Sequence, residues 1–125
     1  MLLYALEKGS KKQEIAIAVW RRGVTGSTQV VMEFTNVCLK KHKFTKEEAF
    51  ENALHLMAGA LVKSVTEKSV RLAFSISRKY GFTHWDSLII ASALEAGCKT
   101  LYSEDMQHGQ VINEKLNIVN PFLLV

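Results

Sequence analysis

Proline and cysteine are scarce in this sequence, and long apolar runs are missing. The one proline is Pro121. No Gly/Ser-rich tract stands in for a linker, and neither a repeat nor a low-complexity segment breaks the chain. The two cysteines, Cys38 and Cys98, lack the spacing of a zinc site. They read as free thiols in a reducing compartment. No apolar run is long enough to cross a bilayer. The opening MLLYALEKGS has no basic stretch ahead of its short apolar run and no small-residue cleavage site, so it does not read as a signal peptide. The expected location is therefore the cytoplasm, with no membrane partner. Also missing are a Gly-rich phosphate loop, a Ser/His/Asp order and a paired-Cys ligand set.

What is present is the composition of an ordinary globular domain. Hydrophobic residues make up 48% of 125 residues and charged residues 22%, enough for one domain with a real core, spanning 1–125, and too little for two. The net charge of +4 is a mild basic bias, compatible with nucleic acid. The cations gather in WRRG, around Arg21 and Arg22, and in LKKHKF, from Lys40 to Lys43. Both clumps fall at expected helix ends, where cations complement the helix dipole. The other reading is a surface that tracks a phosphate backbone.

Periodicity and punctuation divide the chain into alternating helices and short strands. Residues 11–22 read as an amphipathic helix stopped by Gly23, and Val24–Thr25 as a short strand. Ser27 or Thr28 caps TQVVMEFTNVCLKKH. Thr45 caps the next helix with Glu48 three residues on, a capping box. LVKSV is a strand. Thr66 caps EKSVRLAFSISRKY, which ends at Gly81. Thr83 caps a largely apolar and therefore buried helix, with Asp86 three residues later and Gly97 closing it. KTLYS and NIVNPF complete the set as strands. This alternation predicts an α/β sandwich around a mostly parallel sheet, with functional groups beyond the carboxyl ends of the strands.

Three acids in that frame are candidates for one site. Asp86 opens the buried helix, and Asp105 follows the strand that comes after it. A helix returning to a parallel strand brings these two ends to one edge of the sheet. Glu33 lies between Val30 and Val37 on an apolar helix face, where an unpaired carboxylate is costly to bury. Hard cations such as Mg²⁺ or Mn²⁺ take oxygen ligands, and crowded carboxylates call for a compensating cation. Each acid also has a plainer reading. Asp86 completes a capping box with Thr83, Asp105 caps a short helical stretch MQHGQVI, and Glu33 reaches water at the edge of its stripe. Glu104 reads as a solvated turn residue, and His84 and His108 as surface residues.

The segments STQVVMEFTNV, WDSLIIASALEAGCKTLYSEDMQHGQ and NIVNPF resemble the PIN domain, close to the VapC-type toxins of bacterial toxin–antitoxin pairs. The resemblance covers nearly the whole chain. It implies a three-layer sandwich with a mostly parallel central sheet flanked by helices. It implies a metal-dependent ribonuclease acting on single-stranded RNA with Mg²⁺ or Mn²⁺, an antitoxin as protein partner, and a homodimer. The family's metal-binding acids fall on Glu33, Asp86 and Asp105, with Ser103 as an accessory hydrogen-bonding residue and Glu104 as a neighbour. One departure stands out: the family opens with a strand ending in an Asp-Thr-Asn-like motif, and MLLYAL resembles the residues just after it. For a chain without that aspartate, the resemblance implies weak metal binding and low activity, or a PIN-like module that binds RNA or protein without cutting.

Overall fold

In a computed structural model of the chain, residues 14–18, 23 and 25–124 are described. They fall in two compact units, a central one over Thr25–Gly97 and a terminal one formed by Met1–Val24 with Cys98–Val125. The helical residues 14–18, designated α1, belong to the terminal unit.

The central unit begins with strand β1 (Thr25–Ser27) and runs directly into helix α2 (Thr28–Lys40). Ser27 is the N-cap, its hydroxyl accepting from the Val30 amide at 3.3 Å. Helix α3 (Lys46–Ala58) follows, then strand β2 (Leu61–Lys63), helix α4 (Glu67–Tyr80) and helix α5 (His84–Glu95). β1 and β2 pair in parallel, Thr25 opposite Leu61 and Ser27 opposite Lys63. Thr28 Oγ1 accepts from the Val65 amide at 3.2 Å, tying the start of α2 to the exit of β2.

The cap positions read from the sequence are the ones used. Thr45 and Glu48 exchange both bonds of a capping box, and Thr66 and Ser69 do the same at α4. Such side chains satisfy amides that a helix start would leave without partners. Gly81 ends α4 at φ +81°, a left-handed conformation that glycine adopts without steric cost. α4 packs most extensively on α5. Small buried residues on both helices, Ser69 and Ala73 with Ser87, Ala91 and Ser92, permit a close approach. Ile76 and Ile90 fill the core beside them, each sealed from solvent. Burial on that scale stabilises by about 1.5–3 kcal/mol per side chain. Cys38 is buried in α2, and burial pushes its thiol pKa up. Cys98 is half-buried, and both cysteines are free.

Besides α1, the described residues of the terminal unit form three strands, β3 (Thr100–Tyr102), β4 (Val111–Ile112) and β5 (Leu116–Val119). β5 lies between the other two, parallel to β3 and antiparallel to β4. Ile112, Leu116 and Ile118 are its sealed core. Asn113 and Glu114 make the β4–β5 turn, both at positive φ, as a tight hairpin requires. Asn120 Oδ1 accepts from the Phe122 amide, and a 3-10 turn begins at Pro121.

The structure thus gives an α/β chain with five α-helices and small sheets among the described residues. Two expectations need correction. The short helical stretch read in MQHGQVI is not helical: residues 104–106 are bends, 108–109 a turn, and Val111–Ile112 is a strand. The NIVNPF strand stops at Val119 and gives way to the 3-10 turn. Residues 1–10, most of the helix expected over 11–22, Val24 and the Arg21–Arg22 clump lie outside the described residues.

Candidate metal centre

Glu33 and Asp86 belong to the central unit, and one side chain ties their surroundings together. Gln29 lies one turn before Glu33 on α2. Its Nε2 donates to Glu33 Oε1 at 3.1 Å and to the Trp85 carbonyl at 3.2 Å. The Glu33 carboxylate is thereby anchored beside the start of α5, where Asp86 is the next residue after Trp85. Glu33 itself is exposed. It sits at the edge of the apolar stripe, so desolvation is not what marks it; the Gln29 bridge is. The amide orientation is unambiguous, because both partners of Nε2 are acceptors. That leaves Gln29 Oε1 buried with no hydrogen-bond partner, and an orphaned buried oxygen has a cost.

Asp86 is half-buried at the third position of α5. Its amide donates to Thr83 Oγ1 at 3.2 Å. The return bond of a capping box is not made. The Asp86 carboxylate has no hydrogen-bond or ion-pair partner among the described residues, so the cap leaves it available. His84 and Trp85 beside it are exposed, their rings 4.9 Å apart between centroids.

The other acids lie in the terminal unit, in the loop after β3. Ser103 donates its amide to the Val119 carbonyl at 3.0 Å, and its hydroxyl accepts from the Met106 amide at 3.3 Å. That hydroxyl therefore shapes the turn. Asp105 is exposed and caps no helix, while Glu104 is half-buried. His108 Nδ1 accepts from the Asn120 amide at 3.0 Å, and Gly109 at φ +86° donates to the Ile118 carbonyl at 2.7 Å. The histidine read as a surface residue thus fastens the acid-bearing loop to the end of β5.

Within either unit, no group of three His, Cys, Asp or Glu side chains among the described residues is placed to hold a metal ion. What the central unit offers is two carboxylates, Glu33 and Asp86, joined through Gln29 and the Trp85 carbonyl, and carboxylate oxygens are the hard donors that a hydrated divalent cation takes. Gln29 escaped the sequence reading because a neutral amide on a helix carries no charge or motif signal. The available clue was its position four residues before Glu33, a spacing at which helical side chains meet.

The PIN domain family matches residues 1–112, running through both units. The chain belongs to the PIN domain family. No curated protein matches it. PIN domains are generally nucleases that act on nucleic acid with the help of divalent metal ions. In this PIN domain no helix among the described residues is long and apolar enough to cross a membrane.

Proposed function

We propose that this PIN domain is an endoribonuclease that cuts single-stranded RNA with Mg²⁺ or Mn²⁺ held by Glu33, Asp86 and Asp105. The observation that carries the reading is the Asp86 carboxylate, unengaged by its own helix cap and adjacent to the peptide that Gln29 bridges to Glu33. Gln29 orients Glu33 by donating to its Oε1 while holding the Trp85 carbonyl. Asp105, the third acid of this reading, stands on an exposed loop of the terminal unit, with Ser103 setting the turn and Glu104 as its neighbour. A divalent cation in such a site supplies a lowered pKa for water and neutralises charge that builds on the phosphodiester.

The finer reading is a VapC-type toxin: one PIN-like domain over 1–125, a three-layer sandwich around a mostly parallel sheet, working in the cytoplasm as a homodimer and held inactive by an antitoxin. Its support is an apolar stripe on α3. Phe50, Leu54 and Met57 recur at helical spacing and are all exposed, with Leu61 just beyond. Contiguous exposed apolar surface of this kind marks protein contact.

The test is cleavage of end-labelled single-stranded RNA with Mn²⁺ or with EDTA. Slow, Mn²⁺-dependent cleavage is expected, which Asp86→Asn abolishes and Glu48→Gln leaves intact. A folded chain that binds RNA and never cuts it would replace the nuclease with a PIN-like binding module.

A further inference from the structure

We propose that single-stranded RNA is held by the outward face of α4, in an open depression lined by Arg71, Phe74, Ser75, Arg78 and Lys79. The inference rests on the ribonuclease reading and adds a substrate path that neither basic clump in the sequence pointed to. Residues 71, 74, 75 and 78 follow helical spacing and so share one stripe. The opposite face of α4, with Ser69, Ala73 and Ile76, is buried, so the stripe is the face left to solvent.

Two features of the stripe suit a single strand. Its charge is one-sided: the five lining residues include three cations and no acid. Arg71 bonds Glu67 through Nε at 3.1 Å and Nη2 at 2.7 Å, but both side chains are more than three-quarters exposed. Such surface pairs are weak and yield readily to a phosphate. Arg78 has no carboxylate partner among the described residues. The second feature is Phe74, which is 55% exposed between the two arginines of the stripe. An exposed aromatic ring with an arginine one turn away on either side of it along the same stripe is a surface on which unpaired bases can stack while the backbone is neutralised. From Arg71 to Arg78 the helix rises about 10 Å, roughly three nucleotides of a stacked strand. Helix-dipole complementarity accounts for Arg78 and Lys79 in the last turn. It does not account for Arg71 or for the exposed ring.

The measurement is binding of a fluorescein-labelled oligouridine of about 12 nucleotides to the full chain in EDTA, where cleavage does not interfere. Phe74→Ala is expected to weaken binding roughly five- to a hundredfold with an unchanged salt slope. Arg78→Gln with Lys79→Gln is expected to flatten the slope of log affinity against log salt by about 0.7 for each phosphate no longer neutralised. Circular dichroism and melting of each variant separate these effects from unfolding. Wild-type binding that neither variant changes overturns the α4 path and leaves the nuclease reading standing. No wild-type binding overturns both. If Phe74→Ala instead converts a dimer to a monomer at unchanged RNA affinity, the face belongs to a second copy of the chain, and the proposal is overturned.

Discussion

Two helices of the central unit begin with the same four-residue pattern, a threonine followed three residues later by an acid. At α3 the box closes. Glu48 N donates to Thr45 Oγ1 at 3.2 Å, and Glu48 Oε1 accepts from the Thr45 amide at 3.0 Å. The Thr45 amide, and after it the Thr45 hydroxyl, act on the carboxylate and hold the Glu48 carboxyl pKa below its ordinary value. At α5 only the first bond forms, and Asp86 keeps its carboxylate available. The side chains differ by one methylene, which matters because the return bond must reach back a full turn. The pattern that reads as capping in both places thus engages the acid in one and presents it in the other. The proposed metal site rests on that contrast rather than on charge or burial.

The contrast between the two helix starts breaks first through activity. Asp86→Asn should lower Mn²⁺-dependent RNA cleavage by more than the roughly 100-fold of an outer-shell change, and Gln29→Leu by about 10–100-fold through a misdirected Glu33. Single-turnover cleavage at saturating RNA measures both. Equal losses on Glu48→Gln would erase the distinction between the two starts.

Stability comes next. Ile90 is sealed in the α4–α5 core, and Ile90→Ala should cost about 2–5 kcal/mol in urea unfolding. Thr45→Ala and Thr83→Ala should each cost about 1 kcal/mol, because each threonine oxygen accepts an amide at a helix start. Asp86→Glu sharpens the contrast: the longer side chain can close the α5 box, raising stability slightly while metal affinity falls.

The smallest expected effect is on pH dependence. Glu48 has a depressed pKa when folded, so its contribution is present above the unfolded value near 4.5 and is lost as pH falls through the lower folded value. The wild type's advantage over Glu48→Gln should therefore shrink in acid melts below pH 4.5. Cys38 behaves in the opposite sense. Its raised thiol pKa means that the unfolded chain ionises first, so stability should decline as pH rises above 9.0, and Cys38→Ala should remove that decline.

Much of the fold was legible in the sequence, because helix starts are written locally. Ser27, Thr45, Thr66 and Thr83 cap as their hydroxyls predict, and Gly81 ends α4 where a left-handed residue is needed. β4 was not legible. Two residues pair only because β5 lies alongside, and the turn that aligns them uses Asn113 and Glu114 at positive φ, which glutamate does not advertise. In the site, the acids were readable as types at helix starts and strand ends. Which of them its own backbone engages was not, because a capping box and an open carboxylate share one pattern until the side-chain reach is known.

Whether Asp86 binds a cation is decided by thermal melting with increasing Mn²⁺ for the wild type, Glu48→Gln and Asp86→Asn. A cation bound at Asp86 stabilises by mass action, about 2.7 kcal/mol at a hundredfold excess over Kd. The wild type and Glu48→Gln should rise in parallel by several degrees, and Asp86→Asn should not move. An Asp86→Asn melt that rises with Mn²⁺ as far as the wild type would contradict a metal site at the start of α5.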